Sequence, residues 1–360
     1  MAVPSVSAIQ AVLDTPADPV IGAGLVSVGA VRAIEPGTPL RLDIQLGFPA
    51  AGYQQALAES LQRRLRAELG VEADIRIGWK VEPQSVQKAL QPLPNIRNII
   101  AVGSGKGGVG KSTVAVNLAL ALAADGATVG ILDADVYGPS QALLLGTRER
   151  PSSPDGKRMY PVRALGLQAM SLAFLMDADE QPAVWRGPMA TQALWQLLSE
   201  TLWDDLDYLV IDLPPGTGDI QLSLAQRIPV AGAVVVTTPQ DLALLDARKG
   251  LEMFRKVGIP VLGIVENMST HVCSNCGHEE AIFGAGGGET LARDGGSELL
   301  GNLPLDLRIR QQADSGRPTV AADPESPLAQ RYRDIARRAA ARLAYGAASL
   351  PFPDIEVADD

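Results

Sequence analysis

The chain has 360 residues, 46% of them hydrophobic and only 4% aromatic, with a formal charge of −10. That length suits two domains, one of about 250 residues and a smaller one, and a core of Ala, Val, Leu and Ile suits a buried parallel sheet. Net negative charge without a long basic run argues against a nonspecific nucleic-acid clamp and against charge-driven docking on an anionic membrane, while leaving room for a local basic patch.

The opening MAVPSVSAIQAVLD has neither a charged n-region nor a long apolar core, so it does not read as a signal peptide. No uninterrupted apolar stretch approaches the ~20 residues of a membrane span. The expectation is a soluble, cytoplasmic chain with neither membrane nor nucleic acid as partner. Ser7 to Asp14 reads as a short amphipathic helix, followed by a Gly-rich apolar segment from Val20 to Val31. Leu40, Leu42, Ile44 and Leu46 predict a strand buried on both faces or nearly so. Tyr53 to Leu69 predicts a charged helix, with Leu57, Leu61, Leu65 and Leu69 at i, i+4 spacing and Gly70 closing it. Val71 to Trp79 gives a last strand, and the prolines at 83, 92 and 94 mark a linker. The predicted division is a small α+β domain over 1–82, a linker over 83–96, a main domain over 97–345 and an acidic tail over 346–360.

The main domain opens on NIIAVGSGKGGVGKST, Asn98 to Thr113. Asn98 to Val102 reads as a buried strand, and Gly105 to Ser112 fits the phosphate-loop pattern G-x-x-x-x-G-K-S/T. Glycines in such a loop let backbone N–H groups turn toward phosphates, and the following helix presents its positive N-terminus to them. The nucleotide-binding set is therefore Gly105, Lys106, Gly107, Gly108, Val109, Gly110, Lys111, Ser112 and Thr113. Lys111 is expected to reach the β/γ-phosphates and Ser112 to ligate Mg²⁺. The helix, Ser112 to Asp125, is predicted to bury a face of Val114, Leu118 and Leu122 and to stop at Gly126.

Lys106 gives this loop a second lysine. KGGVGKST resembles the deviant Walker A motif of the MinD/ParA/nitrogenase-reductase superfamily, and the resemblance implies that Lys106 crosses a dimer interface to the partner's nucleotide. A cation supplied in trans would offset charge on the transferring phosphoryl group.

Further strands follow. Val129 to Leu132 runs into Asp133 and Asp135, where parallel sheets bind ligands; Asp135 is a candidate to orient the attacking water and Asp133 to support the phosphate loop. Leu145 to Arg163 reads as a polar surface excursion. Val184 to Met189, VWRGPM, precedes a helix, Ala190 to Thr201, that is a candidate for lining the dimer face. Tyr208 to Asp212 has the Walker B pattern, with Asp212 expected to accept a hydrogen bond from Mg²⁺-bound water or from Ser112. Pro214 to Asp219 after it has the D-x-x-x-G form of a γ-phosphate switch. Strands at Ala233 to Thr238 and Val261 to Val265 flank a helix from Leu242 to Val257. In the superfamily resembled above, an asparagine at the end of the second of these strands reads adenine, which implies that role for Asn267.

Both cysteines and both histidines of the chain fall in HVCSNCGH, His271 to His278. Inert thiols, a redox pair, and a zinc site of His271, Cys273, Cys276 and His278 all remain open. A fourth reading uses symmetry: a [4Fe-4S] cubane wants four thiolates, and two copies brought together by ATP supply two C-x-x-C pairs.

KGGVGKST, LDADVYGPS, VWRGPM, IDLPPGTGD, TTPQDLALLDARKG, VENMS with CSNCG, and FGAGGGETLA together resemble the Mrp/ApbC/NBP35 family of iron–sulfur carrier P-loop ATPases, from Asn98 to about Arg338. VLDTPADPVIGAGLVSVGAV at Val12 to Val31 resembles the MIP18-type (iron–sulfur assembly P) domain, although Gly47 to Gly52 lacks the cysteine that members often carry there. The resemblance implies a three-layer α/β fold with a mostly parallel sheet, a homodimer, slow Mg²⁺-dependent ATP hydrolysis, and a labile [4Fe-4S] cluster received from scaffold proteins and passed to apo-proteins. Lys106, Lys111, Asp135 and Asp212 are the implied catalytic residues, Ser112 and Asp212 the Mg²⁺ ligands, and Cys273 and Cys276 the cluster ligands. The rival class is a ParA/MinD-like positioning switch, against which the cysteine pair and the acidic tail speak. Ser326 to Tyr345 is expected to be a core-packing helix, with Leu328, Tyr332, Ile335 and Ala339 as its apolar stripe.

Overall fold

A computed structural model of the chain describes residues 4–16, 18–87, 90–176, 187–273 and 275–346. The first half of the VWRGPM motif, Val184 to Arg186, and the acidic tail from 347 onward lie outside the described residues, as do positions 88 and 89 of the linker.

Residues 6–79 fold as α1 (Val6–Leu13), β1 (Val31–Glu35), β2 (Leu40–Leu46), α2 (Gln54–Leu69) and β3 (Ala73–Trp79). The sheet order is β1-β2-β3, antiparallel then parallel. Strand β2 is buried on one face only: Leu40, Leu42, Ile44 and Leu46 point inward while Arg41 and Asp43 are exposed. The expectation of burial on both faces fails because all four apolar residues share one parity, so alternation sends them to one side. Opposite them, α2 buries Leu57, Leu61 and Leu65, each worth about 1.5–3 kcal/mol of transfer free energy. Gly70 ends α2 in the left-handed conformation that glycine adopts at low cost.

The rest of the chain supplies β4 (Ile96–Gly103), α3 (Lys111–Ala124), β5 (Val129–Asp133), α4 (Gln141–Leu144), β6 (Val162–Ala164), β7 (Leu167–Ser171), α5 (Gly187–Ser199), β8 (Leu206–Asp212) and α6 (Asp219–Arg227). These are followed by β9 (Gly232–Thr237), α7 (Asp241–Lys256), β10 (Val261–Glu266), β11 (His271–Val272), β12 (Glu279–Glu280), α8 (Gly287–Asp294), β13 (Leu299–Asn302), α9 (Leu307–Asp314), α10 (Thr319–Ala322) and α11 (Pro327–Tyr345). Eight strands form one sheet in the order β13-β10-β9-β4-β8-β5-β7-β6, parallel except for edge strand β6. The β6–β7 hairpin closes what the sequence presents only as a polar excursion.

Sheet order decides what meets at the carboxyl edge. Strand β4 lies between β9 and β8, and β5 follows β8, with Val102 opposite Asp212 and Asp212 opposite Asp133. The phosphate loop, Asp212 and Asp133 therefore emerge side by side from adjacent strands.

Helix α3 is buried all round from Val114 to Leu122, not along one stripe. Helix α11 covers the side the sequence leaves open, burying Leu328, Tyr332, Ile335 and Ala339. At the far end of α3, the buried carboxylate of Asp125 takes two hydrogen bonds from Arg337, at 2.6 and 2.8 Å. Here residues 47–53 join the larger unit: the Asp125 carbonyl accepts from the Ala51 N–H, the Arg337 guanidinium lies over the Tyr53 ring, and Tyr345 Oη accepts from the Gly47 N–H. Among the described residues no helix is long and apolar enough to cross a membrane.

Candidate nucleotide site and cysteine ribbon

The phosphate loop runs from the end of β4 into the N-terminus of α3. Gly105 lacks a Cβ for a physical reason: a Cβ there would lie 2.1 Å from the Asp246 backbone of α7. Gly110 adopts φ +82°, and its Cβ would meet the Asn267 amide at 2.2 Å. The loop is thus wedged between α7 and the end of β10, with its N–H-rich turn leading into a helix whose positive end suits an anion. Gly107 and Gly108 are exposed, Val109 is buried, and Lys106 stands exposed at the crest while its carbonyl accepts from the Ser104 hydroxyl.

Lys111 is buried, its ammonium in contact with the Asp212 carboxylate and 3.3 Å from Ser112 Oγ. Asp212 is fully buried, and its second oxygen accepts from Gln141 Nε2 at 2.8 Å. The same Nε2 lies 3.2 Å from the Ser112 carbonyl. Gln141 is a site residue that sequence reasoning missed, because nothing local distinguishes a glutamine after Pro139-Ser140 from a surface residue. Thr113, in the first turn of α3, is half-buried, its carbonyl accepting from the Asn117 side chain.

The two aspartates after β5 part company. Asp133 is buried and accepts from the backbone N–H groups of Asp135, Ser140 and Gln141, and from the Ser171 hydroxyl. It braces the turn over 135–141, and its oxygens bond to none of residues 105–113, which the expected support of the phosphate loop would require. Burial, and then the charge of Asp212, push its carboxyl well above the usual range. Asp135 is half-buried and accepts from the Gly138 N–H at 3.2 Å. Its carboxyl is raised by burial, partly offset by the Lys111 charge, so it faces the same electrostatic field as the phosphate loop.

On the other side, Asn267 continues from β10 and is buried, its Nδ2 donating to the Val109 carbonyl at 2.9 Å. The preceding Glu266 is also buried, its carboxylate accepting from the Gly288 N–H at the start of α8. Six residues beyond Asn267, the chain turns back as a short ribbon in which His271 pairs with Glu280 and Val272 with Glu279. The cysteines occupy its tip. The Cys273 N–H donates to the His278 carbonyl, and the Gly277 N–H donates back to the Cys273 carbonyl, both at 2.9 Å. Both thiols are free; Cys276 is exposed and Cys273 partly so. The Cys273 thiol is held below its ordinary pKa by the backbone N–H groups of Cys276 and Asn275.

The histidines do not join them. His271 Nδ1 lies 3.0 Å from the Leu305 carbonyl, which fixes its ring against the end of the large sheet, and His278 is exposed. Among the described residues no three of His, Cys, Asp and Glu gather as a metal-holding group. The four-ligand zinc alternative is therefore not assembled within one chain.

A phosphate loop, a Walker B aspartate and a parallel sheet define the class: a P-loop NTPase. The family model described as NUBPL iron-transfer P-loop NTPase matches residues 95–340, and the chain belongs to that family. It is 62% identical to an iron-sulfur cluster carrier protein of Pseudomonas fragi over 266 residues, covering 73% of this chain and 92% of that protein. It is 56% identical to the protein of the same description from Escherichia coli K12, covering 86% and 85% of the two chains. Among solved structures, the nucleotide-binding protein of Archaeoglobus fulgidus in complex with ADP superposes with a TM-score of 0.57 at 39% identity, covering 66% of this chain and 91% of that one.

Proposed function

We propose that this chain is an iron–sulfur cluster carrier: a homodimer that closes on ATP, holds one labile [4Fe-4S] cluster between Cys273 and Cys276 of each copy, and passes it to apo-proteins. The carrying observation is the pair of free thiols at an exposed ribbon tip with no third metal ligand gathered beside them among the described residues. One copy offers half of a cubane's thiolates, and a two-fold axis supplies the rest. Exposure suits a cargo that must be received from scaffold proteins and surrendered again.

The nucleotide half of the reading rests on the Lys111 environment. A cation already lies between Ser112 Oγ and Asp212, two hard oxygen donors. That donor set fits Mg²⁺ once phosphates draw Lys111 away. Bound there, Mg²⁺ would neutralise developing phosphate charge. Lys106, exposed at the loop crest, is free to reach a partner's nucleotide, and Asp135 is the group to orient the attacking water. Gly105 to Thr113 cradle the phosphates. Asn267 takes the adenine edge when its amide leaves the Val109 carbonyl, and so carries the state of the nucleotide toward the ribbon. Hydrolysis is slow and dimer-dependent, and the work belongs to the reducing cytoplasm, where free thiols persist. Neither nucleic acid nor membrane enters the cycle.

The test is iron, zinc and acid-labile sulfide per dimer after anaerobic reconstitution, in the wild type and in Cys273→Ala/Cys276→Ala. About four iron and four sulfide per wild-type dimer, lost in the variant, support the carrier. About one tightly held zinc per chain without sulfide sinks it and leaves a switch ATPase with a structural metal.

A further inference from the structure

Gln141 stands where three strand-end elements meet. Its side-chain Nε2 donates to Asp212 at the end of β8 and lies 3.2 Å from the Ser112 carbonyl in the first turn of α3. Its backbone N–H donates to Asp133 at the end of β5, at 2.9 Å. The residue is only 1% exposed, yet its Oε1 is buried without a hydrogen-bond partner among the described residues. A carboxamide placed only to staple α4 onto α3 would be expected to satisfy both ends. This one uses its donor on the Walker B carboxylate and leaves its acceptor unspent on the same planar group.

We propose that Gln141 is a positioning residue of the metal–nucleotide site: it fixes the orientation of Asp212 through Nε2 and offers Oε1 to a hydrogen of metal-bound water. The inference rests on the nucleotide reading above and deepens it. In the ligand-free chain Asp212 has two side-chain partners, Lys111 on one oxygen and Gln141 on the other. Lys111 is the partner that phosphates would recruit. Gln141 is then the group that keeps the carboxylate aimed while its counter-charge is engaged elsewhere. Neutrality matters to this role. A lysine or arginine at 141 would compete with the metal for Asp212, and a glutamate would add a third carboxylate beside Asp133 and Asp212. Second-sphere partners of this kind act through the ligands they orient, so the effect falls on metal affinity more than on nucleotide contact.

The experiment measures ADP affinity of the full chain by calorimetry, once with Mg²⁺ and once with excess chelator, for the wild type, Gln141→Leu and Gln141→Glu. Wild-type ADP affinity is expected to rise with Mg²⁺. In Gln141→Leu the affinity in chelator is expected to stay within about 2-fold, while the Mg²⁺-dependent gain falls about 10-fold. The Mg²⁺ concentration for half-maximal ATP hydrolysis is expected to rise similarly, with a smaller change in kcat. Gln141→Glu is expected to weaken ADP binding in chelator as well, through charge. Equal loss of affinity with and without Mg²⁺ in Gln141→Leu would overturn the inference and leave Gln141 as packing, and so would an unchanged Mg²⁺ gain. If Gln141→Leu does not fold, Gln141→Asn, which keeps the carboxamide but draws it back by one methylene, is read by the same criterion. A wild type that binds no ADP under either condition overturns the nucleotide reading itself, and this inference with it.

Discussion

The nucleotide site and the cysteine ribbon are built to opposite specifications. Lys111, Asp133 and Asp212 are all buried, each with at least two hydrogen-bond partners, drawn from α3, α4, β7 and β8. At the ribbon tip, two thiols stand on a two-residue ladder, touching the rest of the molecule chiefly through the contact of His271 with Leu305. Buried polar networks hold one geometry because any misplacement leaves a group unpaired in low dielectric. An exposed ribbon costs little to distort, which suits a site whose ligand must arrive and depart. The two meet at Asn267, whose amide holds the phosphate loop while its backbone leads toward Cys273.

The largest effects should separate the two regions completely. Cys273→Ala/Cys276→Ala is expected to lose essentially all bound iron and sulfide while changing unfolding free energy by less than about 0.5 kcal/mol, because the tip is exposed. Urea denaturation beside iron analysis checks both halves, and a large stability loss would mean that the ribbon is structural. Lys111→Met should do the reverse. It leaves the fully buried Asp212 carboxylate without its counter-charge, and breaking such a pair costs about 3–5 kcal/mol. Adding Asp212→Asn in the same chain should restore most of that stability but no ATP hydrolysis. If Lys111→Met alone is as stable as the wild type, the pair is not an over-determined centre.

How much of this was legible in the sequence follows the range of the interactions. The phosphate loop, its helix and the Walker B strand are written in consecutive residues, so glycine spacing and an apolar run ending in aspartate were enough. Gln141 was not legible, because its meaning comes from Asp212, which is 71 positions away. The same holds for the buried Asp125–Arg337 pair, 212 positions apart, which fastens residues 47–53 beside the end of α3. A stripe of Val114, Leu118 and Leu122 understates α3, which from Val114 to Ala124 is apolar on every side except at Asn117 and has its other side buried by α11. The C-x-x-C spacing announced a metal-competent pair. That His271 is held against Leu305 instead of joining the pair, only the fold could tell.

A middle-sized effect probes the junction between the regions. Asn267→Ala removes a buried hydrogen bond to the Val109 carbonyl, a loss of about 1–2 kcal/mol in stability. If Asn267 transmits nucleotide state, the rate at which a reconstituted cluster is lost to a chelator should depend on a non-hydrolysable ATP analogue in the wild type and much less in the variant. An undiminished dependence would place the coupling elsewhere, for instance across the dimer interface.

The smallest effect lies within the ribbon itself and asks whether its two thiols are equivalent. Backbone N–H groups of Cys276 and Asn275 lower the Cys273 thiol below its reference value of 9.0. The thiolate is the reacting form, so a lowered pKa raises its fraction at neutral pH. Intrinsic nucleophilicity falls at the same time, with a Brønsted slope of roughly 0.4–0.5, so only part of the gain survives. In the cluster-free chain, Cys276→Ser should therefore be alkylated at Cys273 a few times faster at pH 7 than Cys273→Ser is at Cys276. The rate should also level off at a lower pH in the first variant. The N–H groups belong to the backbone and persist in both variants, so the asymmetry should survive either substitution. Equal rates and equal pH midpoints would mean that the turn does not hold its N–H groups on Cys273 Sγ. The ribbon would then be a tether for two interchangeable thiols, and its contrast with the ordered nucleotide site would be greater still.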